Sequence, residues 1–418
     1  MQKLVINGGK ILQGEVKISG SKNSALPCLV ATLLTDEDCV LENVPQLVDV
    51  RTICALLEHL GKEIILEKHR IVVKAGKVVR WEAPYELVSR MRASVLVMGP
   101  LLARYKKAWV SLPGGCAIGA RAIDIHLKGF TALGAKIKVE SGYVEAEAGK
   151  LIGKQIFLDY PSVGATEVLM MTAVLAEGKT VLKNAACEPE IVDLGNLLGG
   201  MGAKISGLGT KQIQIEGGSS LAGIKHRVIP DRIEASTFLL AGAITGGKIT
   251  LLGANPQDLE TVILKLREAG VEVFLENNKI TVAGNKQLKA TDIETSPYPG
   301  FPTDMQAQWM ALMAIAKGRS RITETVFENR FMHVGELQRM GADVQIKGNC
   351  AVVEGKKDLS GAKVMASDLR ASAALVLAAL AAEGKTEISR IYHLDRGYEQ
   401  IEKKLRKLGA IINRVEAD

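Results

Sequence analysis

One unit of roughly seventy residues recurs six times along this 418-residue chain, and that repetition limits the fold more than any other feature. The segments EHLGKEI, TALGAKI, GGMGAKI, REAGVEV, QRMGADV and RKLGAII place glycines at 61, 134, 202, 270, 341 and 409, spaced by 73, 68, 68, 71 and 68 residues. A glycine just past a helical run reads as a C-cap, because it enters the left-handed region without steric cost. A second series runs in step: LAEGKTVLKN, ITGGKITLLG, AKGRSRITET and AAEGKTEISR, with DEDCVLEN and KKAWVSLP as looser early members. Each predicts a helix end, a short turn and a strand. A third series, SKNSALP, RMRASVL, SVGATEV, RIEASTF, TDMQAQW and LRASAAL, marks helix starts around alanines 25, 93, 165, 235, 307 and 371. VFLENNKITVAG and VQIKGNCAVVEG read as closing hairpins with Asn or Gly at the turn.

Each unit therefore reads as loop–helix–turn–strand–helix–turn–strand with a further strand. Six units in this length predict two α/β domains of three units, each with approximate threefold symmetry. Their expected extents are residues 21–229, and residues 1–20 with 230–418. The opening strands precede the first helix and are expected, as a pair, to complete the last unit, making the second domain discontinuous.

Composition is ordinary, 47% hydrophobic and 24% charged, and the net charge of +7 is interspersed along the chain. That balance suits small anionic ligands. With 4% aromatics and basic residues scattered over many loops, it lacks the continuous basic stripe of a nucleic-acid scaffold. The six cysteines form no C-x-x-C pair and do not cluster with the six histidines along the sequence, which argues against a zinc site or a disulfide framework and for a reducing cytoplasm. The start, KLVINGG, reads as a strand and not as a signal peptide. The longest apolar run, ASAALVLAALAA, is too short to span a bilayer. GAITGGKI only approximates a P-loop: Ile replaces the required Ser/Thr, and the order is helix–Gly-Lys–strand, the reverse of that motif.

The helix starts carry the chemistry. Helix N-termini offer unpaired N–H groups and partial positive charge, so they attract anions. Here they gather Lys22, Asn23, Arg92, Ser162, Gly164, Asp231, Arg232, Asp304 and Arg370. Cations there oppose the helix dipole by roughly 0.3–1 kcal/mol each, so their recurrence in register points to an anionic ligand carrying phosphate and carboxylate. The loops of TVFENRFMH and HLDRGYE add Glu328, Asn329, Arg330 and Arg396, and the equivalent loop SLPGGCAIGAR adds Cys116 and Arg121. A thiol beside cations has its pKa lowered from about 8.5 and becomes reactive or a poised proton donor. Asp304 reads either as a helix N-cap or as a general base. His126 reads as a structural hydrogen-bonding group.

GSKNSALP, MRAS, LPGGCAIGAR, SVGAT, EPEIVDL, PTDMQAQ, ETVFENRFMH, SDLRAS and HLDRGYE together closely resemble the UDP-N-acetylglucosamine enolpyruvyl transferases of peptidoglycan synthesis, over essentially the full length. The resemblance implies two inside-out α/β barrel domains of three β-α-β-α-β-β repeats each, with the active site in the cleft between them. It implies transfer of the enolpyruvyl group of phosphoenolpyruvate to the 3-hydroxyl of UDP-N-acetylglucosamine with release of phosphate. No metal or cofactor is implied, nor a nucleic-acid or membrane partner, and the expected state is a cytoplasmic monomer. Cys116 would protonate the methylene carbon of phosphoenolpyruvate and be open to attack by fosfomycin; Asp304 would take the sugar hydroxyl proton. Lys22, Asn23, Arg92, Arg121, Arg370 and Arg396 would hold phosphoenolpyruvate. Asn23, Arg92, Arg121, Ala122, Ile123, Asp124, Ile125, Ser162, Val163, Gly164, Asp304 and Val326 would contact the nucleotide sugar. Tyr160-Pro161 and Ser89 stand where the family commonly carries basic residues. The shikimate-pathway enolpyruvyl transferases share the architecture, but the cysteine loop argues against that assignment.

Overall fold

The computed structural model describes residues 2–416 except 90, 113–122, 219, 277–278, 286 and 328. The described residues divide into two compact units, one of residues 20–112 with 123–229, the other of residues 2–19 with 230–416. Each contains three four-stranded sheets of one pattern, in which an edge strand runs parallel to the second, the third antiparallel to the second and the fourth antiparallel to the third.

The helices that open the repeats are buried nearly all round. In the second unit these are Arg232–Ile244, Gln306–Met313 and Leu369–Ala381, whose described side chains are almost all inaccessible and which pack on one another. A helix apolar on every side has to be enclosed. The sheets do this, with strands such as Lys248–Leu252 and Lys279–Ala283 alternating inward apolar and outward polar residues. Lys22–Ala31, Met98–Tyr105 and Val163–Ala173 play the same part in the first unit. Helices inside and sheets outside is the inside-out arrangement the resemblance implies. Among the described residues no helix is long and apolar enough to cross a membrane.

The repeat glycines do what their spacing predicts. Gly61 caps the helix Val48–Leu60 at φ 112°, and Gly134, Gly202, Gly270, Gly341 and Gly409 all take left-handed φ between 84° and 110°. The Gly-Lys segments stop a helix ahead of a strand, as in Lys179–Lys183 and Lys385–Ser389.

The opening residues depart from expectation. Gln2–Asn7 and Gln13–Lys17 do not pair with each other. Gln2–Asn7 runs antiparallel between Lys385–Ser389 and Ile411–Glu416, in the last repeat. Gln13–Lys17 runs parallel to Lys248–Leu252, in the fourth repeat. The link between them is held on a helix end and cannot turn back: Gly8 N donates to Gly384 O at 3.1 Å and Gly9 N to Leu380 O at 2.9 Å. The second of these bonds satisfies a carbonyl that the end of Leu369–Ala381 would otherwise leave open. A Cβ on Gly8 would lie 2.1 Å from Ala382 O. The other unit is closed in the same way, by Lys225–Arg227 from its far end pairing with Cys39–Glu42 in its first sheet.

Leu4 is fully buried in the strand that completes the last sheet. Leu4→Ala is therefore expected to lower stability by about 2–5 kcal/mol in urea unfolding, while Leu275→Ala, at a half-exposed position, changes it by less than about 1 kcal/mol.

Candidate active site

In the unit of residues 20–229 the candidate residues sit at the starts of buried helices. Ser21 caps Lys22–Ala31, its hydroxyl accepting from Ser24 N, so Lys22 and Asn23 occupy the first turn. Lys22 Nζ lies 3.3 Å from Asp49 Oδ2, with Asp49 almost inaccessible. Spacing gave no sign of Asp49, because it comes from the next helix, Val48–Leu60. Arg92 begins a 3-10 segment, Arg92–Val97, that runs into Met98–Tyr105. Ser162 caps Val163–Ala173, accepting from Ala165 N at 3.3 Å. A Cβ on Gly164 would lie 3.1 Å from His126 Nε2, so the start of Val163–Ala173 packs closely on the helix that carries His126. Ile123 is buried, and Asp124 and Ile125 open the helix Asp124–Ala132 that carries His126. Burial first, and Arg92 second, push the His126 imidazole down to about 4, so it is neutral near pH 7. Cys116, Arg121 and Ala122 lie outside the described residues.

In the unit containing residues 230–416, Asp304 is not an N-cap. It lies in a 3-10 turn, Thr303–Met305, whose flanking residue Pro302 makes no side-chain cap bond. Its carboxylate instead meets two guanidiniums: Oδ1 accepts from Arg330 Nη2 and Oδ2 from Arg370 Nη2, both at 2.7 Å. Both arginines are about 95% buried, while Asp304 keeps a quarter of its side-chain surface open. Burial works against the carboxylate charge, but Arg370 and Arg330 outweigh it and hold the group well below the usual carboxylate range. Arg370 Nη1 also donates to Tyr398 Oη at 3.3 Å, and Gln308 Nε2 and Thr237 Oγ1 lie 3.1 and 2.9 Å from that phenol. Arg370 starts its helix beneath Asp368, whose carboxylate caps the N–H groups of Arg370 and Ala371.

Arg330 was placed by sequence only in a loop equivalent to that of Arg396; the fold makes it a direct partner of Asp304. Val326 N donates to Glu324 Oε1 at 2.8 Å. Arg396 ends a short 3-10 segment, Ile391–Arg396, next to His393, whose ring is kept neutral by burial and by Arg396.

Cysteine and histidine do meet: ligand atoms of Cys28, Asp193 and His226 lie within 4.8 Å of one another. Residues so far apart in sequence leave no trace in spacing motifs. Their polar atoms are engaged with each other and with close neighbours: Asp193 pairs with His226 Nε2 at 2.9 Å and accepts from Ser24 Oγ and Ile229 N. Burial pushes the Cys28, Cys39 and Cys54 thiols up, Cys54 to about 12, so these are inert.

Comparison with known proteins follows the same lines. A family model described as EPSP synthase (3-phosphoshikimate 1-carboxyvinyltransferase) matches residues 6–405. A protein of Geotalea uraniireducens named UDP-N-acetylglucosamine 1-carboxyvinyltransferase is 56% identical over 416 residues, covering 100% of both chains. A protein of that name from Trichlorobacter lovleyi is 57% identical over 416 residues, covering 99% of each. Among solved structures, the enolpyruvyl transferase NikO from Streptomyces tendae superposes with a TM-score of 0.89 at 27% identity, covering 100% of this chain and 99% of that one. EPSP synthase from Acinetobacter baumannii gives 0.79 at 19% identity with both chains fully covered, a likeness of fold.

The depressed His126 sets a pH response. Unfolded histidine titrates near 6.5, so below that value the unfolded chain binds a proton that the folded chain refuses until about 4. Stability from this group is complete above pH 6.5 and falls on acidification, by about 2 kcal/mol between pH 7 and pH 5. Urea unfolding at the two pH values should show this loss in the wild type, reduced by that amount in His126→Gln.

Proposed function

This chain belongs to the EPSP synthase family and, within it, to the UDP-N-acetylglucosamine 1-carboxyvinyltransferases, and we propose that it transfers the enolpyruvyl group of phosphoenolpyruvate to the 3-hydroxyl of UDP-N-acetylglucosamine. The observation that carries this reading is identity above one half over the whole chain with relatives of that name. The reaction is the first committed step of peptidoglycan synthesis, run in the cytoplasm by a monomer on small-molecule substrates, without metal or cofactor.

In this reading Lys22, Arg121 and Arg396, with Asn23, Arg92 and Arg370 nearby, hold the phosphate and carboxylate of phosphoenolpyruvate, which guanidinium forks bind bidentately. The nucleotide sugar lies against Asn23, Arg92, residues 121–125, Ser162, Val163, Gly164, Asp304 and Val326. The pairing of Ser162–Gly164 with the His126 helix supports one continuous surface for it. The sugar oxygen bonds to C2 of phosphoenolpyruvate while its proton passes to Asp304, and the methylene carbon takes a proton from Cys116. The tetrahedral adduct then loses phosphate as the new methyl group gives a proton back, restoring the double bond.

The two guanidiniums on Asp304 bear on its role as base. A carboxylate held so low is ionised but weakly basic. An anionic substrate that draws Arg370 away would leave Asp304 with Arg330 alone and raise its basicity where the sugar hydroxyl needs it.

Phosphate release from phosphoenolpyruvate tests the reading, with UDP-N-acetylglucosamine or shikimate 3-phosphate as acceptor. Turnover is expected with the nucleotide sugar alone, lost in Cys116→Ala and reduced about 10²–10⁴-fold in Asp304→Asn. Turnover only with the shikimate ester would move the chain to the activity in the family model's description, and release with neither acceptor would leave the fold alone.

A further inference from the structure

Resting on the reading of Asp304 as the base, we propose that Glu324 is its positioning residue, fixing Arg330 on Asp304 through Thr303 and the Val326–Phe327 backbone. Glu324 follows the strand Arg319–Thr323 and is 1% exposed. A buried carboxylate needs hydrogen bonds or counter-charge to offset its lost hydration. This one relies on hydrogen bonds, four of them. Oε1 accepts from Thr295 Oγ1 at 2.8 Å, Val326 N at 2.8 Å and Phe327 N at 3.0 Å. Oε2 accepts from Thr303 Oγ1 at 2.8 Å.

The last bond sets the direction of a relay. A threonine hydroxyl has one proton. Because Thr303 gives it to Glu324, its lone pairs face Arg330, whose Nη1 donates to it at 2.8 Å. The other arm of that guanidinium, Nη2, holds Asp304 Oδ1. Phe327, whose N–H Glu324 fixes, lays its ring 5.3 Å from the centre of the same guanidinium. Arg330 Nε has no hydrogen-bond partner among the described residues, so the two Nη bonds and the ring define its position. Glu324 thus controls two of the three contacts that aim Arg330, and through Val326 N it sets one proposed nucleotide-sugar contact as well.

Among the described residues, the charged and titratable groups around the relay are few. Asp304 faces Arg330 and Arg370; Arg370 faces Tyr398 and, through charge, Asp231; Arg330 faces His333, whose ring burial keeps neutral. Loosening Arg330 removes one of the two cations that favour the ionised base. The acid limb of the kcat profile should then move to higher pH, a change that a residue serving only the packing would not produce.

The test is the pH dependence of phosphate release in Glu324→Gln, Thr303→Val, Thr303→Ser and Asp304→Asn, with unfolding midpoints measured alongside. Glu324→Gln is expected to lower kcat roughly 10-fold and raise KM for UDP-N-acetylglucosamine a few-fold, by the loss of charge-assisted bonds. Its acid limb should move up by about half a pH unit or more. Thr303→Val, which keeps Glu324 but cuts the relay, should show the same displacement, and Thr303→Ser should restore the limb. An unmoved limb in both Glu324→Gln and Thr303→Val, beside a limb abolished in Asp304→Asn, would overturn this inference alone. Full turnover in Asp304→Asn would overturn the base assignment and this inference with it. Should Glu324→Gln fail to fold, Thr303→Val decides.

Discussion

A helix that is apolar on every side can meet water only at its ends. The buried helices that open the repeats, such as Arg232–Ile244 and Leu369–Ala381, impose that condition on each unit. Sheets must enclose them, and three repeats supply enough sheet to do so. Polar chemistry is then confined to the helix termini and the loops that meet them. Lys22, Ser162, Asp231 and Arg370 all stand within one turn of a buried helix start, where unpaired N–H groups already favour anions. Packing thus decides where the reactive residues can be.

The charges at these ends are paired off within the protein. Lys22 has Asp49, and Arg330 and Arg370 share Asp304. Removing one partner of a buried pair leaves an uncompensated charge, which is far more damaging than the pair is stabilising. An anionic ligand evades that penalty, because it replaces one carboxylate by another oxyanion and keeps each cation matched. Charges paired in this way keep each buried cation matched within its own unit.

Much of the fold was legible because it rests on local rules. Gly61 and its five counterparts mark helix ends that only a left-handed residue can make, and their spacing counts the repeats. Lys22 and Arg370 were visible as cations that oppose the helix dipole, and Asp304 as a carboxylate at a helix start with two possible roles. What stayed hidden depends on contacts between distant segments. Nothing near Asp49 signals Lys22, and Arg330 reads as one more loop arginine until the chain folds it onto Asp304. Glu324 reads as part of a motif with no task of its own, since its partners Thr295 and Thr303 come from another loop. The N-cap alternative for Asp304 failed because its carboxylate is turned away from the helix toward two guanidiniums. The opening strands failed as a pair because tertiary bonds from Gly8 and Gly9, invisible in local sequence, tie the link between them to distant backbone at residues 380 and 384.

The placement of those opening strands also orders events during synthesis. Gln2–Asn7 leaves the ribosome long before either of its neighbours, both of which lie beyond residue 384. The unit of residues 20–229 has all its strands in hand once about half the chain has emerged. The other unit cannot close until residues 385–416 have emerged, so its first strand waits as an unpaired edge, the kind of segment that chaperones shield. A nascent chain stalled between residues 230 and 384 would therefore present one finished body and one unprotected strand.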